Sequence, residues 1–166
     1  METRPGVQLQ VLLMTPETQP KGVFVIYAGG FGTLALGSRL GKPFVGKYRD
    51  VFLIRNRERF VEAGYAVLLP DVPSDREQLH YVYRLSAMQV DDAQAVIDFA
   101  RQRFGQAPWI LGTSASSLSV AHIASQPDLD LADIDFTAAD FRRSVITGCN
   151  FSGAVLNDAI FDQARV

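Results

Sequence analysis

The chain has 166 residues, with 16 Lys and Arg against 18 Asp and Glu, and its net charge of −2 excludes the strongly basic surface that binds nucleic acid or anionic membranes. The single cysteine, Cys149, excludes an intrachain disulfide, and the two histidines form no cluster spaced for a metal. No apolar run has the length and flanks of a signal peptide or a membrane span. We therefore expect a cytoplasmic protein with no metal, no cofactor, and no nucleic-acid or membrane partner.

Apolar strand candidates and amphipathic helix candidates alternate over the first three quarters of the chain. The sequence predicts strands over residues 7–14, 22–28, 65–70 and 108–111. It predicts helices over residues 52–63, 86–104 and 115–124, and a long loop over residues 33–50. The capping box Ser86-x-x-Gln89 opens the second helix. Strands and helices that alternate at this spacing predict βαβ units and a parallel sheet.

Three unusual segments follow the three inner strand candidates. They are Gly29-Gly30-Phe31-Gly32, residues 71–75 (DVPSD), and Gly112-Thr113-Ser114-Ala115-Ser116. Ligand-binding and catalytic groups of parallel α/β sheets gather at the carboxyl ends of the strands. We therefore expect all three segments to lie along one edge of the sheet.

From residue 129 onward the pattern changes, because a large apolar residue recurs at every fifth position. These residues are Leu131, Phe136, Phe141, Ile146, Phe151, Leu156, Phe161 and Val166. A second apolar or small residue stands two positions before each, and eight consecutive registers hold without a slip. A period of five fits neither a helix nor a strand.

This tail resembles a run of pentapeptide repeats, which implies a short right-handed quadrilateral β-helix of about two coils over residues 128–166. In such a helix residues one coil apart stack on each other. The predicted stacks are Leu131 on Phe151, Phe136 on Leu156, Phe141 on Phe161, and Ile146 on Val166. An open coil edge at Val166 would tend to pair with a second copy and form a homodimer. The alternative is that the tail completes the preceding α/β domain.

The segment around Ser114 resembles the nucleophile elbow G-x-S-x-G of the α/β-hydrolases, with Ser116 in place of the second glycine. The glycine-rich segment at 28–32, the charged stretch at 54–57 and the DVPSD segment extend the resemblance over about residues 7–125. It implies a partial parallel α/β-hydrolase-type sheet over residues 1–127 and acyl transfer from a small ester-like substrate. The alternative for Ser114 is a helix N-cap.

The resemblance also implies roles for individual residues. Ser114 would be the nucleophile, and the backbone N–H of Ala115, with that of Gly30 or Phe31, would form the oxyanion hole.

Two carboxylates near the same edge are candidates for orienting a base or binding substrate, namely Asp71 and Asp75. Aspartates beside proline after a strand are more often turn formers. In that interpretation they belong to a solvated ion-pair cluster with Arg55, Arg57 and Arg84.

A serine nucleophile needs a base, and in the α/β-hydrolases that histidine follows the serine along the chain. No histidine follows His122, which stands eight positions after Ser114 and so about 12 Å away along a helix. His80, beside the DVPSD segment, is the remaining candidate base. The sequence therefore predicts an incomplete triad.

The leading hypothesis is a serine-hydrolase-like protein with an incomplete triad, and the alternative is a non-enzymatic pentapeptide-repeat scaffold that self-associates. A dinucleotide site is disfavoured because Gly30-x-Gly32 lacks a third glycine in register. A P-loop is disfavoured because Pro43, not Ser or Thr, follows Gly41-Lys42.

Overall fold

A computed structural model describes residues 1–125 and residues 157, 158, 160, 162 and 163. In this part of the chain the strands are β1 (Glu2–Arg4), β2 (Val7–Met14), β3 (Val23–Tyr27), β4 (Leu36–Arg39), β5 (Lys42–Val45), β6 (Ala66–Pro73) and β7 (Trp109–Gly112). The helices are α1 (Phe52–Arg55), α2 (Arg57–Glu62), α3 (Tyr81–Arg84), α4 (Ala87–Phe104) and α5 (Ser116–Ala124).

Five strands form one mixed sheet in the order β1-β2-β6-β3-β7. As predicted, β3 runs parallel to both β6 and β7. The prediction of a parallel sheet is wrong for the other two strands, because β2 pairs antiparallel with β6 and β1 pairs antiparallel with β2. A tight connection through Gly6, at φ 73°, joins β1 to β2, and no helix separates β2 from β3. Parallel pairing needs a longer crossover than these connections provide.

Alternate side chains of the strands face two separate cores, as the period of two requires. One core joins the sheet to α4 and α5 and includes Val23, Val25, Ala66, Leu68, Ala93, Val96, Ile97, Ala100 and Ile123. The other joins it to α1 and the chain before it and includes Ile26, Ala28, Leu34, Leu53, Ile54, Val67 and Leu69. Helices therefore cover both faces, which explains why the inner strands are continuous apolar runs in the sequence.

The helix predicted from the capping box is confirmed as α4. The Ser86 side chain accepts a hydrogen bond from the Gln89 N–H, and the helix ends at Gly105, which has a left-handed φ of 69°. Gly at this position costs no Cβ strain, so it stops the helix cleanly.

The predicted long loop over residues 33–50 is wrong, because it contains the antiparallel hairpin β4–β5. Leu40 and Gly41 connect the two strands with φ values of 52° and 75°. Two consecutive positive φ values are typical of the tight type I′ turn, whose usual sequence signal is Asn-Gly. Leucine at the first position concealed that signal.

The predicted single helix over residues 52–63 is also wrong, because Asn56 divides it into α1 and α2. Asn56 has φ −94° and ψ 4°, and its side-chain amide donates to the Phe52 carbonyl. This local bond satisfies a carbonyl at the end of α1 and competes with continuation of the helix.

The predicted coil stacks, the boundary near residue 127 and the open edge at Val166 lie outside the described residues. Among the residues that the structure describes, no helix combines the length and apolarity needed to cross a bilayer.

Candidate active site

The strands β3 and β7 lie side by side, and the helices that follow them cover opposite faces of the sheet. The helices α1 and α2 follow β3 on one face, and α5 follows β7 on the other. In open α/β sheets, ligand sites form outside the strand ends at such a reversal. The glycine loop (residues 28–32) and the serine turn (residues 113–115) meet at this point.

The serine turn holds Ser114 in the left-handed region, at φ 58°, between the end of β7 and the start of α5. A non-glycine residue there is uncommon, costs of order 1–3 kcal/mol, and is typical of functional sites. The Ser114 side chain is exposed, and its Oγ makes no hydrogen bond within the described residues. The N-cap of α5 is Ala115, and no side chain caps this helix, so the N-cap interpretation of Ser114 is wrong.

Ser116, which replaces the second glycine of the elbow pattern, closes the turn from inside. Its fully buried Oγ accepts a hydrogen bond from the Thr113 N–H at 2.8 Å and donates one to the Thr113 carbonyl at 2.8 Å. Serine in place of the second glycine therefore adds two hydrogen bonds that stabilise the turn.

Two glycines allow the close approach of the elements around Ser114. A Cβ on Gly112 would lie 2.7 Å from the Ser116 carbonyl oxygen, and a Cβ on Gly29 would lie 3.0 Å from the Thr113 carbonyl oxygen and 3.5 Å from the Ser114 Cβ. The glycine loop thus packs directly against the serine turn, as predicted from the strand ends.

The predicted oxyanion donors lie at this contact. The Ala115 N–H has no hydrogen-bond partner within the described residues, and the Phe31 N–H donates to the Tyr48 hydroxyl oxygen at 3.3 Å. The Tyr48 ring also covers Gly30, since a Cβ there would lie 2.6 Å from it. Tyr48 could not be singled out from the sequence, because it lies in the stretch that was predicted to be a loop.

Arg84 is a buried cation behind the glycine loop, and its side chain is only 1% exposed. Its guanidinium donates to the carbonyls of Ala28 and Gly30, at 3.2 and 3.0 Å, and to the Ser119 Oγ at 2.9 Å. Its Nε donates to the Leu79 carbonyl at 3.2 Å. Burial lowers the pKa of this guanidinium, because desolvation disfavours its charge.

His80, the candidate base, contacts the Phe31 ring. The two rings meet edge to face with centroids 5.7 Å apart, and the His80 Nε2 is 2.8 Å from the Gln78 Nε2. No hydrogen bond joins His80 to Ser114 within the described residues. His122 lies half-buried on α5, as predicted for a helix residue distant from the serine.

Asp71 braces the chain that follows the glycine loop. Its Oδ1 accepts from the N–H groups of Leu34 and Val72, and its Oδ2 accepts from the Leu36 N–H. Asp71 is buried inside β6, so the expectation of an exposed turn former after the strand is wrong, because β6 continues through Pro73.

Asp75 belongs to a cluster at the N-terminus of the chain. Arg4 donates to both oxygens of Asp75, and its Nε donates to Asp92 Oδ1 at 2.9 Å. The buried Asp92 also accepts from the hydroxyls of Thr3 and Tyr83. The hydrogen bond from Arg4 is the main cause that lowers the pKa of Asp75, and burial is the main cause that raises the pKa of Tyr83.

The expected ion pairs of Arg55, Arg57 and Arg84 with Asp71 and Asp75 are therefore wrong. Arg55 lies over the Phe52 ring, and Arg57 bonds the Ile54 carbonyl and Glu58. In the described part of the chain, no group of three or more His, Cys, Asp or Glu side chains is placed to hold a metal ion.

Comparison with known protein families accounts for the tail of the chain. Residues 130–166 match the family model of pentapeptide repeats, in eight copies. They are pentapeptide repeats. This confirms the eight registers predicted from the period of five, although the match does not extend over residues 1–129. No curated protein matches the chain.

Proposed function

We propose that Ser114 is the nucleophile of an α/β-hydrolase-type site that takes the acyl group of a small ester-like substrate. The observation that carries this proposal is the left-handed φ of Ser114 in a strand-to-helix turn, where the residue is exposed and its Oγ makes no hydrogen bond to the described part of the chain. In a nucleophile elbow the serine also stands on a sharp, strained strand-to-helix turn, because such a turn exposes its hydroxyl at the edge of the sheet.

The chemistry follows from the groups at the turn. The Ser114 Oγ forms a bond to the carbonyl carbon while its proton passes to water or to a base, and the alcohol then leaves with a proton from solvent. The N–H groups of Ala115 and Phe31 would stabilise the negative oxygen of the intermediate, which requires the Phe31 N–H to exchange its long bond to Tyr48.

The proton acceptor is the weakest part of the site. His80 is the candidate base, but it would have to exchange its contact with Gln78 for one with Ser114. We therefore propose slow acylation, because water is a poor substitute for a positioned imidazole.

The surroundings favour an uncharged substrate. The Phe31 ring is half exposed, and Leu118, one helical turn after Ser114, is exposed as well. These side chains offer exposed apolar surface in the glycine loop and in the helix that follows the serine.

A fluorophosphonate probe tests the proposal, because it is attacked by an activated serine with loss of fluoride and forms a stable phosphonyl ester. We expect labelling of the wild-type protein at Ser114, detected by mass spectrometry of the modified peptide, and no labelling of Ser114→Ala. The matched control is Ser38→Ala, since Ser38 is also exposed and its side chain makes no hydrogen bond within the described residues. Wild-type protein that stays unlabelled, or equal labelling of Ser114→Ala, would refute the proposal.

The repeat match favours a second function, self-association through the pentapeptide-repeat segment. Stacked repeat coils bury their apolar residues only against neighbouring coils, so a stack of eight repeats gains stability when it packs against a second copy. We expect a concentration-dependent dimer in sedimentation velocity, which Phe151→Asp or Phe161→Asp abolishes. A monomer at all concentrations would contradict this function and leave the proposal for Ser114 untouched.

A further inference from the structure

We propose that Arg84 is the positioning residue of the oxyanion loop and fixes from behind the direction of the Phe31 N–H, which points away from the guanidinium; this inference rests on the function proposed for Ser114. A buried arginine normally bonds a carboxylate, because an uncompensated buried charge is costly. Within the described residues, the hydrogen bonds of Arg84 instead run to carbonyls and to one hydroxyl. Besides the Leu79 carbonyl, these partners belong to the glycine loop and to α5, the helix that follows the serine turn.

The direction of the bonds fixes the direction of the N–H groups. In a trans peptide, the C=O of one residue and the N–H of the next point in opposite directions. The Gly30 carbonyl points at Arg84, so the N–H of Phe31 in the same peptide points away from Arg84. The same relation holds for the Ala28 carbonyl and the Gly29 N–H.

The loop has one backbone hydrogen bond of its own, from the Gly32 N–H to the Gly29 carbonyl at 3.0 Å. Gly29, Gly30 and Gly32 are flexible residues, and two of them have a positive φ. The space beside Gly32 is already filled, since a Cβ there would lie 3.1 Å from an Arg84 nitrogen and 2.8 Å from Leu79. Arg84 therefore adds a rigid set of donors to a loop whose glycines restrict its backbone little.

The same guanidinium reaches the helix that follows the serine. Its Nη1 donates to the Ser119 Oγ, which is fully buried on α5. One planar group thus bonds both the glycine loop and α5. Because a guanidinium presents its donors in a fixed plane, it sets the distance between these elements, which a lysine cannot do with a single nitrogen.

The test compares Arg84→Gln, Arg84→Lys and Ser119→Ala with the wild type, using two measurements. The first is the rate constant of fluorophosphonate labelling at Ser114. The second is the amide exchange rate and ¹⁵N–¹H chemical shift of Phe31 and Gly29, which do not depend on catalysis. Arg57→Gln is the matched control, since Arg57 also bonds a backbone carbonyl but makes no hydrogen bond to the loop within the described residues. Thermal unfolding selects the variants that remain folded.

We expect labelling of Arg84→Gln to be slower than that of the wild type by about tenfold or more. This loss of rate is smaller than the 10²–10³-fold loss caused by removing an oxyanion donor outright. Arg84→Lys should lie between this variant and the wild type, Ser119→Ala should lose about threefold, and Arg57→Gln should match the wild type. Exchange at the Phe31 amide should be faster in the same order.

Folded Arg84→Gln protein that labels at the wild-type rate would overturn the inference and leave the role of Ser114 intact. Wild-type protein without labelling would refute the proposed function, and the Phe31 amide alone would then decide: an unchanged signal in Arg84→Gln overturns the inference. If Arg84→Gln does not fold, Arg84→Lys and Ser119→Ala decide by the same two measurements.

Discussion

At the scale of single residues, the left-handed backbone conformation of Ser114 is the main support for the proposed function. A serine in the left-handed region is strained because its Cβ crowds the neighbouring carbonyl. Within the described residues, its side chain makes no hydrogen bond that could compensate for this strain. A site that keeps such a residue gives up stability in exchange for an exposed hydroxyl.

We therefore expect Ser114→Gly to stabilise the fold while it abolishes labelling. Glycine adopts φ 58° without strain, but it also loses more conformational entropy on folding, so the net gain in free energy of unfolding should be about 1 kcal/mol. Urea denaturation measures it. Ser117→Gly is the control with the opposite sign, because glycine in the first turn of α5 should cost about 0.5–1 kcal/mol. A loss of stability in Ser114→Gly would show that the turn is not strained.

At the scale of elements, patterns that depend on near neighbours were predicted correctly. The inner strands, α4 with its Ser86 cap, and the helix after the serine all follow from apolar runs, periodicity and capping. The hairpin β4–β5 and the break at Asn56 were missed, because each depends on backbone angles that the residue types do not demand. Leucine at a positive φ is tolerated only where the paired strands hold it there.

The glycines show the same division. Gly105 could be recognised as a helix stop from its position, whereas the need for Gly29 and Gly112 arises from the carbonyl oxygens of Thr113 and Ser116 that face them. The first is a local requirement and the second is a packing requirement.

At the scale of the whole molecule, the cluster of Arg4, Asp75, Asp92, Tyr83 and Thr3 fastens the N-terminal strand to α4 and to the chain after β6. Asp92 is buried, and it would lose its hydrogen bonds from Thr3 and Arg4 if the N-terminal strand detached. The cluster therefore links β1, at the edge of the sheet, to α4 and to the chain after β6.

This cluster predicts a pH dependence of stability. The pKa of Asp75 is lowered in the folded state, mainly by the hydrogen bond from Arg4, so its contribution is full above the unfolded pKa of about 3.9 and is lost as the pH falls through the folded value. We expect Asp75→Asn to be less stable than the wild type at pH 6, by at most about 1 kcal/mol because the pair is partly exposed.

The difference between the two proteins should shrink between pH 5 and pH 2.5, measured by urea denaturation. Arg76→Gln should keep most of the pH dependence, because Arg76 is 3.7 Å from Asp75 and is a smaller cause of its shift. A difference that stays constant over this range would contradict the assignment.

The sequence by itself determined the types of the main elements, the small residues around Ser114 and the eight repeats of the tail, because each is written in residues close together along the chain. Only the tertiary structure decided that β2 runs antiparallel to β6, that Asp75 binds Arg4 near the N-terminus, and that Arg84 bonds the glycine loop. Arg4 and Asp75 are 71 positions apart, and Arg84 and Ser119 are 35 apart. A charged side chain can satisfy its hydrogen bonds with many partners, and the sheet order selects one by bringing it within reach.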